Sequence, residues 1–221
     1  LIAAGWVIDD KVQTTATPRE ASKSDMRRGT LLLLITVSCT GLIYQATSFA
    51  MPKMFEVRLS EYLGDGLLGI GAFVSAVYFL SGATQLVGGW LADRFELKRV
   101  YLTCWVLQIP LLLIVASLDT ALLLPVAAVM VVSNTIGSPS ENSLFARYSP
   151  PKWRSTAFGV KFVLTLGVAA AAIPLIAWIH RETGGFVMLF MVLAGCAVVA
   201  ALATAMLPGK SDDRAVVVDA K

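Results

Sequence analysis

The sequence predicts an all-α membrane protein that crosses the bilayer six times. Hydrophobic residues make up 57% of the 221 residues and charged residues only 15%, whereas soluble domains carry roughly a quarter charged residues. Six apolar stretches meet or approach the roughly 20 residues that a helix needs to span hydrocarbon while satisfying its own backbone hydrogen bonds. They comprise residues 31–52, 66–92, 100–118, 120–146, 155–179 and 183–208.

The distribution of Lys and Arg predicts which side of the membrane each loop occupies. Fourteen of them lie on one side, within residues 1–30, 93–99, 147–154 and 209–221. The other side has Lys53, Arg58 and Arg181. Because basic loops are retained in the cytoplasm, both termini are predicted to be cytoplasmic. The basic residues follow the loops and form no single patch, so nucleic-acid binding is not expected.

The segments that flank the six spans have a different composition. Residues 1–8, LIAAGWVI, are typical of the end of a preceding apolar helix. Residues 9–30 mix charges with Ser, Thr and Pro without an amphipathic period, which predicts a flexible cytoplasmic linker. Residues 209–221 are predicted to be a cytoplasmic tail. Since the sequence also lacks an initiator Met, we expect it to be a fragment of a longer protein.

The loop between the second and third spans concentrates charge beside the membrane. In GGWLADRFELKRV, residues 88–100, three basic and two acidic side chains lie within seven residues. This loop resembles the motif of the major facilitator superfamily of secondary transporters, in which a Gly precedes Ala-Asp-Arg and several basic residues. The matching residues are Gly89, Ala92, Asp93, Arg94, Lys98 and Arg99. Glu96 and Leu97 replace the family's second Gly and one of its basic residues.

A second stretch supports the same resemblance. ARYSPPKWRSTAFG, residues 146–159, is similar to a basic, Pro-containing turn that leads into a Gly-containing helix in that superfamily. The resemblance covers residues 31–208 and corresponds to one six-helix half of a twelve-helix transporter. The basic segment before these residues is similar to the family's central cytoplasmic loop. The resemblance therefore implies the C-terminal half, with the N-terminal six-helix half of the same protein as its partner.

The resemblance implies a permease or efflux protein that moves a small solute by alternating access, in the bacterial inner membrane. It also implies that spans one, two, four and five line the central cavity. In the family, charged loops hold the cytoplasmic ends of the two halves together in one conformation. The predicted latch residues are Gly89, Asp93, Arg94, Lys98, Arg99, Arg147 and Arg154. The alternative for the basic residues is a topology signal that keeps their loops in the cytoplasm.

Two spans present polar residues along one helical face. Span two has a stripe of Gly71, Ser75, Tyr78, Gly82, Gln85 and Gly89, and span one has Thr36, Thr40, Tyr44 and Thr47 with Gln45 beside them. Either close helix packing through small residues or the wall of an aqueous cavity explains such stripes. The predicted cavity residues from these spans are Tyr44, Gln45, Tyr78 and Gln85.

Two opposite charges fall inside the later spans. Each costs about 2.5 to 3.5 kcal/mol near the membrane centre, so both are expected to have partners. Glu141 lies five residues before the end of span four, and Lys161 lies six residues after the start of span five. Their depths nearly match in antiparallel neighbours, which predicts a Glu141–Lys161 contact. The contact is either a structural ion pair or part of the coupling and substrate machinery, and Arg147 and Arg154 are competing partners for Glu141.

Span four contains further polar residues around a predicted kink. Pro139 removes one intrahelical hydrogen bond and Gly137 loosens the preceding turn. Asn134 lies deep in the span and must find a hydrogen-bond partner, so it is a candidate substrate contact or an interhelical hydrogen bond.

Other classes of protein and site find less support in the residues. A six-helix carrier or channel acting as a homodimer is the first alternative, and an intramembrane enzyme is the second. The enzyme alternative is weak because no span contains a Ser/His or Cys/His pair. Cys39, Cys104 and Cys196 have no metal-ligand spacing, so we expect packing roles and no metal site or cofactor. Protons are a candidate coupling ion.

Overall fold

The computed structural model describes residues 23–63 and 67–208, which form seven α-helices and one short 3₁₀ turn. The helices are α1 (Lys23–Leu63), α2 (Leu67–Arg94), α3 (Leu97–Ser117), α4 (Leu123–Ile136), α5 (Ser138–Tyr148), α6 (Arg154–Thr183) and α7 (Val187–Ala205), and the 3₁₀ turn is Pro151–Trp153. α4 and α5 follow each other closely and together make one membrane span. The prediction of an all-α protein with six spans is therefore confirmed, whereas residues 1–22 and 209–221 lie outside the described residues.

The helix bounds differ from the predicted spans mainly in α1. This helix starts at Lys23, inside the segment predicted to be a linker, and continues through Pro52 to Leu63. Residues 53–63 are therefore helical rather than a connecting stretch, because Pro52 removes only one backbone donor and the flanking residues keep their helical bonds. The exposed Lys53 and Glu56 side chains pair one turn apart at 3.0 Å.

The fourth span is interrupted where Gly137 and Pro139 predicted a kink. α4 ends at Ile136, and α5 begins one residue later with Pro139 in its first turn, where a missing N–H is tolerated. Gly137 keeps helical backbone angles, and the Glu141 N–H donates to its carbonyl at 3.0 Å. The span therefore continues in direction while its hydrogen-bond ladder is re-started just before Glu141.

The core lies among α1, α3, α7 and the α4–α5 span. α3 packs chiefly on α7 and α4, and α1 packs on α6 and α7. Fully buried side chains from these helices include Leu33, Phe55, Leu112 and Phe190. In contrast, only 17% of the residues in the apolar stretch of α2 are buried, and the same share holds for α6. These two helices therefore present most of their surface outside the six-helix unit.

One glycine in the charged loop's helix permits a close helix contact. A Cβ on Gly88 would collide with the backbone carbonyl of Ile136, at the C-terminal end of α4. The space beside Gly89 is open to 4 Å. Gly88 therefore lets α2 approach α4 closely, whereas Gly89 faces open space within the described residues.

Arg58 joins α1 to the C-terminal end of α3. Its guanidinium donates to the carbonyls of Val115, Ala116 and Leu118 at 2.9 to 3.1 Å, and Nε lies 3.1 Å from Asp119. Carbonyls at the C-terminal end of a helix have no N–H partner within the helix, so Arg58 supplies one. Its positive charge also complements the helix dipole. Arg58 thus links α1 to the end of α3, on the side of the bundle opposite the charged loop.

Candidate functional site

The charged pair predicted from the sequence forms within the bundle. Lys161 Nζ of α6 lies 2.8 Å from Glu141 Oε1 of α5, and the two side chains are only 8% and 7% exposed. Arg147 and Arg154, the competing partners, are exposed. The prediction of a Glu141–Lys161 contact is confirmed. Each charge removes the need to bury its partner alone, since a single charge at this depth is costly.

The second carboxylate oxygen of Glu141 is held by hydroxyl groups from two other helices. Tyr101 of α3 donates to Oε2 at 2.7 Å, and Thr40 of α1 donates at 3.0 Å. These two hydroxyl oxygens are themselves 3.4 Å apart. Tyr101 is only 2% exposed. Side chains from α1, α3, α5 and α6 therefore converge on one carboxylate, which we term the Glu141 cluster.

The ammonium group of Lys161 has contacts beyond Glu141. It donates to Asn142 Oδ1 at 2.6 Å. It also lies 5.6 Å from the ring centre of Phe145 and 6.0 Å from that of Phe158, which meet edge to face. Aromatic faces attract a cation that has lost its water, so these rings add to the stabilisation of Lys161.

Every group that contacts the Glu141 carboxylate can donate a hydrogen bond. Lys161, Tyr101 and Thr40 all donate to Glu141, which fits an ionised carboxylate because that group only accepts. A proton on Glu141 would turn one acceptor oxygen into a donor, so one bond would have to reverse or break, and the Thr40 hydroxyl can accept because the Thr36 carbonyl, at 2.9 Å, can take its hydrogen. The pair would also change from neutral to a net charge of one. Proton binding would therefore rearrange contacts among four helices.

Two of the predicted cavity residues, Tyr44 of α1 and Tyr78 of α2, contact each other. The Tyr44 and Tyr78 rings contact edge to face at 5.9 Å, and the Tyr78 hydroxyl lies 2.6 Å from Ser48 Oγ. Tyr44 is 39% exposed and Gln85 is exposed, whereas Gln45 is half-buried. These side chains lie on the outer face of the described bundle rather than beside Glu141.

The small-residue stripe of α2 does not pack against the described helices. The positions where a Cβ would stand on Gly71, Gly82 and Gly89 have nothing within 4 Å. Ser75 is exposed as well. Within the described part of the chain, close helix packing therefore does not explain this stripe, which leaves a cavity wall or a contact beyond the six-helix unit.

Some of the predicted latch residues have partners nearby in the bundle, and others are exposed. Arg94 lies over the Trp90 ring at 5.3 Å, Arg99 Nε pairs with Glu96 at 2.7 Å, and Lys98 donates to the Leu207 carbonyl at 2.6 Å. Lys98 and Arg147 both line a cavity of about 160 Å³ at this end of the bundle. Asp93 and Arg154 are exposed, and the Asp93 side chain has no ion pair or hydrogen bond within residues 23–63 and 67–208.

Sequence reasoning missed three members of the Glu141 cluster. Tyr101 lies near the start of a predicted span, where aromatic residues favour the membrane surface; it is instead buried against Glu141. Thr40 was recognised only as part of a polar face, and Asn142 was not singled out. Asn134 is half-buried and lines a small cavity that also reaches Glu141.

The comparisons with known proteins agree with this architecture. The family described as the Major Facilitator Superfamily matches residues 33–219. A curated relative from Planococcus maritimus, called "Na(+), Li(+), K(+)/H(+) antiporter", is 30% identical over 148 residues, which cover 64% of this chain. The aligned part spans only 34% of that relative, so this chain corresponds to about a third of its length.

Proposed function

The chain belongs to the Major Facilitator Superfamily and is part of an integral, multi-pass secondary transporter, and we propose that the Glu141 cluster is where this transporter binds its coupling proton. The observation that carries the proposal is a buried carboxylate held by Lys161, Tyr101 and Thr40 from three other helices. An ionisable group within a membrane is costly to keep, which favours a functional role.

We further propose that the exchanged substrate is a monovalent cation. The relative that carries such a name supports this choice. The charge of the site supports it as well, because a proton and a cation would each add one positive charge next to Lys161. In a medium of low dielectric, two such additions cost far more than one. The two occupants therefore exclude each other, which is what an exchanger requires.

Alternating access would come from a second six-helix unit, the N-terminal half of the same protein. The exposed faces of α2 and α6, including the open positions beside Gly71 and Gly82, supply the surface for such a partner. The charged loop, with Asp93 exposed at the end of α2, would then engage that half in one conformation. In this proposal the basic loops lie in the cytoplasm and the protein lies in a bacterial inner membrane.

Reconstituted transport tests this proposal. The complete protein is placed in liposomes that contain a pH-sensitive dye, and Na⁺, Li⁺, K⁺ or choline is added outside. We expect the small cations to make the interior more alkaline as protons leave, and choline to have no effect. Glu141→Gln is expected to abolish the response, because the amide cannot take up and release the proton.

The matched control is Glu56→Gln, which removes an exposed carboxylate near the other end of the bundle and should leave the response unchanged. A double variant, Glu141→Gln with Lys161→Met, separates coupling from folding because it removes both charges together. If the double variant still exchanges protons for cations, the pair is structural and the proposal is wrong. An absence of cation-dependent proton movement in the wild-type protein would also contradict it.

A further inference from the structure

A small internal cavity adjoins the Glu141 cluster on the side of α3 and α4. It has a volume of about 10 Å³ and is lined by residues of α1, α3, α4 and α5, among them Gln108, Ser133 and Glu141. A cavity needs about this volume to hold the centre of one water molecule. The space is therefore large enough for a single water and too small for an organic solute.

Polar atoms without partners line this cavity. Gln108 is 1% exposed, and neither its Oε1 nor its Nε2 has a hydrogen-bond partner within the described chain. The indole Nε1 of Trp105 and the hydroxyl of Ser133 are also buried without a hydrogen-bond partner within the described chain. Buried polar side-chain atoms almost always have a partner, which is a protein group or an ordered water. Four such atoms around one cavity therefore indicate an occupant.

The chemistry of these atoms identifies the class of occupant. Trp105 Nε1 and Gln108 Nε2 can only donate, so they need a group that accepts. A metal cation accepts nothing, whereas water accepts and donates and can also serve Gln108 Oε1 and Ser133 Oγ. The combination of donors, acceptors and volume thus fits a water molecule and does not fit a bare cation.

The residues that line the cavity lie on two facing helices and include Glu141. On α3, Tyr101, Trp105 and Gln108 are separated by four and three residues, so they share one face over about 10 Å. On the opposing span, Ser133 and Glu141 lie eight residues apart and also share a face. The Tyr101 hydroxyl, which donates to Glu141, lines the same cavity.

We propose that this cavity binds a water molecule between Gln108, Trp105 and Ser133, and that this water exchanges the proton of Glu141 by way of Tyr101. In the uptake step the Tyr101 O–H bond breaks as its proton moves to Glu141, and Tyr101 takes a proton from the water. In the same transfer the water receives a proton from solvent, so one proton passes from solvent to Glu141 and both the water and Tyr101 end unchanged. The site itself stands on the cavity and its polar atoms, and only the role in proton exchange rests on the proposed function.

Radiolytic labelling of the complete protein tests whether the water is present. X-rays convert bound water to hydroxyl radicals, which oxidise adjacent side chains that mass spectrometry then identifies. We expect Trp105 to be oxidised despite its burial, while Phe190, which is 0% exposed on α7, stays unmodified. Gln108→Leu and Ser133→Ala should each lower labelling of Trp105. Thr103→Val, on the exposed face of α3, should leave it unchanged.

Proton exchange is measured on the same variants in liposomes. We expect Gln108→Leu and Ser133→Ala to slow cation-driven proton release by about tenfold, equivalent to about 1.4 kcal/mol in the activation barrier. Ser133→Ala keeps the test valid if Gln108→Leu folds poorly. A Trp105 that labels no faster than Phe190 in the wild type would overturn the water site. Lost labelling with unchanged proton release would overturn its role in exchange. If the wild type moves no protons, the proposed function fails, and the labelling alone decides the site.

Discussion

The Glu141 cluster and the loop at residues 93–99 contain the same kinds of charge in opposite settings. In the cluster, Lys161 and Glu141 are 8% and 7% exposed and lie 2.8 Å apart. In the loop, Arg99 pairs with Glu96 at a similar 2.7 Å, yet the Arg99 side chain is 83% exposed. The comparison teaches that pair distance alone does not set importance. Water competes for the loop pair and screens its charges, whereas the charges of the cluster are shielded from water and depend on each other.

The largest expected effect comes from breaking the buried pair on one side only. Lys161→Met or Glu141→Gln should each lower the stability of the complete protein by about 3 to 5 kcal/mol if one buried charge loses its partner. Combining the two changes should recover much of this loss, because no unpaired charge remains. Thermal unfolding in detergent, followed for the four proteins of this double-mutant cycle, measures the coupling between the side chains.

Additive losses in that cycle would contradict the prediction. Coupling near zero would mean that Lys161 and Glu141 find other partners when separated, for example by reaching lipid headgroups. The cluster would then resemble the loop more than its burial indicates.

An intermediate effect is expected where the loop's helix meets the bundle. Gly88→Ala should destabilise the protein by about 1 to 3 kcal/mol, because the new methyl group would meet the Ile136 backbone carbonyl. Gly89→Ala is the matched control, since open space surrounds that position and Ala favours a helix over Gly. Chemical or thermal unfolding of both variants checks the difference. Equal losses would mean that Gly89 also has a close neighbour, as the proposed N-terminal half would supply.

The smallest effect is expected from the exposed pair in the loop. Arg99→Gln should change the stability by about 0 to 1 kcal/mol, as is typical of surface ion pairs. Glu96→Gln is the matched change in its partner and should give a similarly small result. Unfolding midpoints at low and high salt check this prediction. A loss comparable to that of Lys161→Met would show that the loop is buried in the complete protein, which would strengthen the latch hypothesis for these residues.

The Glu141–Lys161 contact was predictable because it follows from how far each residue lies from the end of its span. Two opposite charges at nearly equal depth in antiparallel helices joined by a short turn are each costly without a partner, so rotations that bring them together are favoured. Tyr101 was not predictable in the same way. An aromatic residue near the end of a span has the same local sequence whether its ring faces lipid headgroups or the interior. Only the rotation of α3 against α5 decides between the two positions.

The adjacent glycines illustrate the same limit. Gly88 and Gly89 differ by one residue, which turns the side-chain direction by about 100° in a helix with 3.6 residues per turn. The sequence identifies a segment that can approach a neighbour closely but does not indicate which glycine faces it. Likewise, the polar stripe of α2 was recognisable by its period, while the open space beside its glycines emerged only from the arrangement of α1, α2 and α4.

The sequence by itself determined that the chain has six membrane spans and that the charges at 141 and 161 require partners. Both conclusions follow from the free energy of placing a segment or a charge in hydrocarbon, which depends on composition and depth. Only the tertiary structure decided that Thr40 and Tyr101 share the Glu141 carboxylate and that Gln108 borders a water-sized cavity. Those contacts join helices far apart in the chain, and they depend on how the packed core fixes the rotation of each helix about its axis.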